Sequence, residues 1–549
     1  MIIREYLDSL DLNDGESRRS NCPSCNSRNT FTVTKEMGTI KYNCYKLNCD
    51  VRGNYHVDLT AAEIKLLMQK QAEQPKKEPD TMEIPEYVVQ PTPEHTKFHD
   101  FKEKWGLWSS RLLYDVKDER VVFPIYYKGK IIDMNETCRK ETGIEDAYLK
   151  IYPVSGYGNG DLLKQVLDME TKDGEGIDAI LHYTDPRFWG WLYNMEHEIR
   201  QNIPIFYYNI WDDLPYPRWN EPFYESCDLI MNISKQTVNI VDKVCQKKPR
   251  TDWDNTYLPH GINEKNFYPV DELNVKEYGD LLNFKRNVTD NKEYDFVIFW
   301  NNRNIRRKLP GDVVLSYKMF CDTLTKEQSE KCALIMHTQP RDENGTDLPA
   351  LVEELCPDYD VIFSHKKLSD KELCYLYNIA DVTMNMASNE GFGLGTCEAL
   401  MCGTPISVNV TGGLQDQAGF KYKDKFITYK DYSWIESLHD DKKWKDNEDL
   451  TWGDWCKPVW PSNRSLQGSI PTPYIYDDRP RSDDFADAIK KWYDMGKEKR
   501  DECGRSGYEF VMSDDAMMSA TAMSNLFIEH MDTAFEKWTP RKRFTIFEG

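Results

Sequence analysis

No stretch of this 549-residue chain stays apolar for the ~18 residues that a membrane-crossing helix needs, so bilayer insertion is not expected. The opening segment, MIIREYLDSLDLNDGES, has acids where a secretory leader has a basic and then an apolar run, which argues for a cytoplasmic location. Excess positive charge is missing too: 70 Lys and Arg stand against 92 Asp and Glu, a net charge of −22. Nucleic acid binds along a basic track, so extensive contact with DNA is excluded and only a local site is left. Nor is the chain poor in apolar residues. At 40% hydrophobic, with abundant aromatics, it suits packed cores rather than disorder, and its length calls for two or three of them.

Cysteine, by contrast, is plentiful, with 15 residues. In a reducing compartment these are thiols, and four are spaced too regularly to be scattered core residues. Cys22-Pro-Ser-Cys25 is followed, 18 residues on, by Cys44-Tyr-Lys-Leu-Asn-Cys49. TFTVTKEM and IKYNCY alternate between the two knuckles like a hairpin that would bring them together. Cys22, Cys25, Cys44 and Cys49 are therefore the expected ligands of a structural zinc in tetrahedral S4 coordination. Free thiols alone would leave so short a segment without an adequate core.

The rest of the chain is organised around residues 383–416, TMNMASNEGFGLGTCEALMCGTPISVNVTGGLQD. Apolar segments at 382–387 and 406–410 read as strands around a glycine-rich turn and a short helix. Gly391, Gly393 and Gly395 strip side chains from the turn, so the amides of residues 391–395, Phe392 and Leu394 included, can approach an anion at the helix N-terminus. Glu390 closes the first strand and Glu398 lies about one turn inside the helix. One carboxylate can face a sugar and the other the hydroxyls of a ribose, so a nucleotide-sugar meets both demands. Surface charges beside an ordinary α/β turn are the plainer alternative.

SNEGFGLGTCEALMCGTP, with its Glu398-Ala-Leu-Met-Cys402-Gly403, resembles the sugar-nucleotide motif of the retaining glycosyltransferases of family 4. The resemblance implies an α/β GT-B fold of two Rossmann-like domains. It implies that Glu390 and the following amides hold the donor sugar and diphosphate while Glu398 binds the ribose. No catalytic metal is then expected. Arg303 and Lys308, in the loop after the strand of DFVIFWNNRNIRRKLPGDVVLSYKMF, match the family's diphosphate clamp, although Arg306 and Arg307 compete for the role. TYLPHGINEKNFYP is similar to the family's approach to the interdomain hinge, with Gly261 as a tight turn.

A strand, glycine loop and helix begin near residue 148, and Gly156 and Gly158 of SGYGNG fall where the family carries a loop near the donor phosphates. Strands at 179–182, 203–209 and 229–233 alternate with helices at parallel-sheet spacing. His182 and Asp185 end one strand and Asp212 and Asp213 another, so each can reach a crevice at strand C-termini or serve as a cap. HYTDPRFW and NIWDDLPYPRWNEPFYESCDLIMNISKQT resemble tailed-phage glycosyltransferases, which implies a viral origin and the infected host's cytoplasm. His365 and Lys366 are candidates to lie near the donor base. The tryptophans of the later excursion can stack on an acceptor or form a small core, the latter being favoured.

The cysteine segment, NCPSCNSRNTFTVTKEMGTIKYNCYKLNCDVRG, resembles the zinc-binding domain of phage and bacterial primases, and DERVVFPIYYKGKIIDMNETCRKETGIEDAYLK is similar to the start of their polymerase domain. Only Glu175 and Asp178 faintly echo the acidic metal site that priming requires, so priming is not expected. Recognition of DNA through Arg18, Arg19, Arg28, Lys35, Lys41 and Lys46 with Phe31, Tyr42 and Tyr45 stands beside a solvated face as the reading of this module.

The expected domains are a zinc ribbon at 1–65, a linker and α+β primase-like segment at 66–147, an acceptor Rossmann-like domain at 148–290, a donor domain at 291–515 with an aromatic-rich insertion at 420–476, and a crossing helix at 516–549. The expected function is sugar transfer from a nucleotide-sugar, with a modified base in phage DNA as acceptor. The alternatives are transfer to a glycan or protein, an inert transferase half serving as an adaptor, and metal-dependent transfer at Asp252/Asp254 or Asp358/Asp360.

Overall fold

The computed structural model describes residues 157–172, 176–246 and 253–542, and earlier in the chain 6–7, 10, 12, 16–25, 27–28, 30–36, 39–44, 49, 51–56, 88–99, 113–117, 120–127 and 130–136. Residues 66–87 of the expected linker, residues 137–150 of the primase-like segment, Gly156, Glu175, Tyr45, Lys46 and Asp252 lie outside the described residues. The chain divides into two compact units, residues 1–155 and 156–549.

In the first unit, Ser17–Ser20, Phe31–Glu36, Thr39–Cys44 and Arg52–His56 form an antiparallel sheet in chain order. The hairpin between the cysteine pairs is present, with Phe31 opposite Cys44 and Glu36 opposite Thr39. Its period of two puts Phe31 and Val33 in the core and leaves Thr32 and Thr34 half-buried. Phe31 is therefore a core residue packed on Tyr6 and Tyr42, not a free platform for a base. A second antiparallel sheet contains Val88–Val89, Leu113–Asp115, Arg120–Tyr127 and Lys130–Glu136.

The second unit holds two parallel sheets. Ile180–Tyr183, Ile205–Asn209, Leu229–Asn232 and Asp254–Tyr257 lie side by side in chain order. The two middle strands, IFYYN and LIMN, are buried along their whole length, as expected where helices cover both faces of a parallel sheet. The other sheet has six strands. Counted from Phe296–Asn301 as the first, with Cys332–His337, Asp360–Ser364, Val382–Asn385, Ile406–Asn409 and Cys456–Val459 following, their spatial order is 3-2-1-4-5-6, the doubly wound order of nucleotide-binding folds. Phe296, Ile298 and Trp300 pack on one face of this sheet and Val297 and Phe299 on the other. Each side chain of that size contributes roughly 1.5–3 kcal/mol on burial.

Cys456–Val459 corrects one boundary. The aromatic excursion is not wholly an insertion, because it contains the last strand of the donor sheet, paired with Ile406–Asn409. Pro458 in its centre is tolerated because the strand is an edge. Trp444, Trp455 and Trp460 are buried in this region, while Trp434 and Trp452 remain partly exposed, so most of the tryptophans serve a core.

The helix Ala520–Lys537, capped by Ser519, packs Met523, Leu526, Phe527, Met531 and Phe535 against Phe206, Tyr208, Leu229, Met231 and Leu258 of the four-stranded half. The chain thus returns from the six-stranded half to cover the other. Where it passes, Ile262 N–H donates to Met518 and Ala520 N–H donates to Ile262, both through backbone carbonyls. Among the described residues no helix is long and apolar enough to cross a membrane.

Gly261 sits at this crossing. A Cβ there would lie 2.6 Å from Ala520 Cα and 2.7 Å from Ser519 O, and neither backbone can swing away as a side chain would. Gly261→Ala is expected to cost about 1–3 kcal/mol and lower the melting temperature, a result read by calorimetry. An unchanged melt would mean that the two segments do not pass in contact at Gly261.

Candidate functional site

In the 3-2-1-4-5-6 order the sense in which strands are added reverses between Phe296–Asn301 and Val382–Asn385, which pair directly and in parallel. Loops leaving the C-terminal ends of two such strands diverge and open a crevice. Here that crevice is a cavity of about 420 Å³. Asn301, Arg303, Lys308, Glu390, Gly393 and Glu398 line it from the six-stranded half, and Ile233 and His260 from the other.

Gly393 has φ of 91°, in the left-handed region, and caps the helix Leu394–Met401. Among the described residues no group accepts a hydrogen bond from the amides of residues 394 and 395, and both residues line the cavity. The first turn of a helix has no internal acceptors for these groups, so they and the helix dipole present a positive end to the crevice. The preceding loop is held from behind, where Gly413 N–H donates to Glu390 O at 2.9 Å. A Cβ at Gly413 would run into Gly391 O, which accounts for the glycine there.

Charge is concentrated beside these amides. Lys308 Nζ donates to the Glu390 carboxylate, and both residues are buried. Arg307 Nη1 lies 3.5 Å from the same Glu390 oxygen and donates to Asn389 O at 2.7 Å. Burial pulls the Lys308 pKa down, with Glu390 opposing that shift. From the other half, burial pushes the Asp212 carboxyl up while Arg307 draws it down. Asp213 is pushed well above the carboxylate range by burial and by Asp212, and it accepts from the Asn389 amide. Glu398 accepts from Tyr377 Oη at 2.6 Å, Asn301 Nδ2 donates to that hydroxyl at 2.8 Å, and burial raises the Glu398 pKa.

Arg303 also lines the cavity, but its guanidinium is turned to Asp342, with Nε 3.0 Å from the carboxylate, and it is largely exposed. The cation beside Lys308 and Glu390 is Arg307 instead. In a loop with three arginines in five positions, spacing alone does not say which one turns inward.

The structure does not bring His182 or Asp185 to the cavity. His182 is buried within the four-stranded half, Nδ1 2.8 Å from Tyr193 Oη and its ring stacked on Tyr207 at 4.7 Å. It sits within a strand, on the face that packs against a helix. Asp185 caps the short turn Pro186–Trp189, accepting from Arg187 N–H at 3.0 Å and from the Arg187 guanidinium. Gly158, with φ of 73°, precedes the helix Gly160–Lys172 and is outside the cavity lining. His365 and Lys366 are exposed and likewise do not line it. Asp254 pairs with Lys537 and Asp360 with Lys292, so neither candidate metal pair lies at the crevice.

His260 was not singled out by sequence. The available signal is its position, three residues beyond the last strand of its sheet and directly before Gly261.

In the first unit, the sulfurs of Cys22, Cys25, Cys44 and Cys49 all lie within 4.8 Å of one another, with Cys22–Cys49 at 3.8 Å and Cys25–Cys44 at 3.7 Å. A tetrahedral ion with bonds of about 2.3 Å to sulfur spaces its ligands about 3.8 Å apart. The four thiols can therefore hold a metal ion.

No model of a known protein family matches the sequence. Over 325 residues the chain is 24% identical to the D-inositol 3-phosphate glycosyltransferase of Stackebrandtia nassauensis, covering 54% of this chain and 69% of that protein. Among solved structures it is similar to HepE of Anabaena in complex with UDP and glucose, at 11% identity and a TM-score of 0.46, covering 69% of this chain and 84% of that one. A glycosyltransferase from Rickettsia africae is 14% identical with a TM-score of 0.48, covering 70% and 85%.

Placement in a core gives His182 a testable signature. Burial lowers its pKa from 6.5 to about 4, so the unfolded chain takes up its proton first as pH falls. Stability is therefore complete above about 6.5 and is lost as pH falls toward 4. His182→Asn is expected to flatten the acid side of the stability profile, measured by urea unfolding from pH 4 to 8, and to leave ligand binding at the crevice unchanged. A loss of binding at full stability would return His182 to the site.

Proposed function

We propose that the chain is a glycosyltransferase that moves a sugar from a nucleotide-sugar to an acceptor hydroxyl, with retention at the anomeric carbon. The observation that carries this reading is the meeting, at one switch point, of the free amides at Gly393–Gly395, the buried Lys308 and two carboxylates. The amides and Lys308 suit a diphosphate. Glu390 suits the hydroxyls of the sugar and Glu398 those of the ribose. The similarity to a curated glycosyltransferase and the motif at residues 388–405 support the same reading.

In the reaction the bond from the anomeric carbon to the phosphate oxygen breaks and its electron pair stays on that oxygen. Lys308, the amides and Arg307 stabilise the charge that develops there, with Arg303 on the rim. The acceptor oxygen bonds to the same face of the carbon, and its proton passes to the departing phosphate. No enzymic nucleophile is needed. The protein acts by positioning and by electrostatics, in a cleft whose two halves exclude water.

For the acceptor we propose a modified base in phage DNA, presented by the cysteine module with zinc as its ion. The module's resemblance to primase zinc domains supports this, and the net charge of −22 confines the DNA contact to a local face. Only DNA from an organism with modified bases is then a substrate.

The test is incubation with UDP-, ADP- and GDP-sugars and candidate acceptors, followed by mass spectrometry of the products. One nucleotide-sugar is expected to be consumed, and Lys308→Met to slow turnover by about 10²–10³-fold. Glycosylated nucleosides would establish DNA as acceptor, whereas labelled glycan or protein would replace it. Unaltered function in Lys308→Met and Glu390→Ala, with loss in Cys22→Ser, would instead mark the transferase half as an inert adaptor.

The zinc assignment has its own readout. Purified protein is expected to carry about one zinc per chain by elemental analysis, and Cys22→Ser to lose it. Nucleotide-sugar binding by the second unit should survive that substitution. A zinc-free wild-type protein with an intact first unit would refute the assignment.

A further inference from the structure

Resting on the nucleotide-sugar reading, a second inference concerns a residue of the opposite wall. His260 Nδ1 lies 2.9 Å from Tyr208 Oη, and the same hydroxyl lies 3.1 Å from the Leu258 carbonyl oxygen. A tyrosine hydroxyl has one proton, and a carbonyl can only accept. Both contacts are hydrogen bonds in one arrangement alone: Tyr208 donates to Leu258, and His260 Nδ1–H donates to the Tyr208 oxygen. In a neutral imidazole the other nitrogen, Nε2, is then a bare acceptor. Burial keeps the ring neutral by pulling its pKa down to about 4.

The ring lines the cavity and stands edge to face with Phe392, centroids 5.4 Å apart. Among the described residues nothing donates to Nε2. A diphosphate oxygen has no proton to give it, and the phosphate-binding groups are the amides and cations already described. A hydroxyl is the complementary group.

We infer that His260 presents Nε2 as a fixed hydrogen-bond acceptor to a hydroxyl of the bound nucleotide-sugar, on its ribose or on the sugar to be transferred. Tyr208 does not line the cavity and sets the polarity of the ring from behind. His260 is thus a ligand-recognition residue, and Tyr208 a positioning residue that acts through it.

Calorimetric titration at pH 7.5 tests this with three probes: the tightest-binding of UDP-, ADP- and GDP-glucose, its parent nucleoside diphosphate, and inorganic pyrophosphate, which has no hydroxyl. His260→Phe is expected to weaken the nucleotide-sugar about 5- to 10-fold and leave pyrophosphate unchanged. His260→Gln, whose amide oxygen accepts, should recover part of the loss. Tyr208→Phe releases the tautomer and should produce the same selective loss, with no further loss in the double variant. A drop shared by the nucleoside diphosphate assigns the hydroxyl to the ribose, and a drop confined to the nucleotide-sugar assigns it to the transferred sugar. Equal weakening of pyrophosphate, or wild-type affinity in His260→Phe, overturns the inference. Tyr208→Phe keeps the test independent of packing damage at position 260. A wild-type protein that binds pyrophosphate but no nucleotide-sugar overturns the nucleotide-sugar reading itself, and this inference with it.

Discussion

Lys308 and Glu390 form an ion pair taken out of water, and the arrangement of the crevice depends on it. Such a pair is costly, because desolvating each ion takes several kcal/mol and mutual attraction returns only part of that. Its place beside unpaired helix amides gives it a use. Burial pulls the lysine toward losing its proton, and the Glu390 carboxylate beside it works against that pull at a site built for an anion. An arriving diphosphate would add a second partner to a cation that is already positioned and desolvated. Removing Glu390 alone would leave that ammonium buried without its counter-ion.

The fold supplies the two walls that this site requires. Strand order opens the crevice on the six-stranded half, and the last helix of the chain crosses to pack on the four-stranded half. The crossing passes within backbone contact of Gly261, and His260, immediately before it, reaches the cavity. One short segment thus joins the hinge to the binding wall. Further contacts tie the halves elsewhere: Lys235 N–H donates to Asp416, and the Asn389 amide to Asp213. Relative movement of the halves would therefore be felt at both ends of the 388–416 region.

Much of this was legible in the sequence, and the reason differs by feature. Residues 383–416 announce themselves because glycine positions and strand periodicity both report backbone geometry, which is local. The four cysteines do so because metal-ligand spacing is local as well, and the hairpin between them follows from alternation. Side-chain direction at a strand end is not local. His182 and Asp185 stand where a crevice residue would stand, yet one is turned into the core by the packing of Trp189 and Tyr193 and the other is used as a cap. The choice between Arg303 and Arg307 depends on Asp342, some 39 residues away in the chain. Cys456–Val459 was hidden because an edge strand of four residues with a proline has little pattern to show among tryptophans.

The paired acids of the four-stranded half show how distant packing sets local chemistry. Asp212 and Asp213 are adjacent, the first half-buried and the second buried, and two neighbouring carboxylates resist ionising together. Among the described residues no cation forms an ion pair with Asp213, and its partner is the Asn389 amide. Asp212 is drawn down by Arg307 and Lys308. Of the two, Asp213 is raised further and holds the Asn389 loop, while Asp212 feels the two cations of the crevice. Burial and mutual repulsion thus both work against negative charge on this wall, which favours the positive potential that an anionic ligand requires.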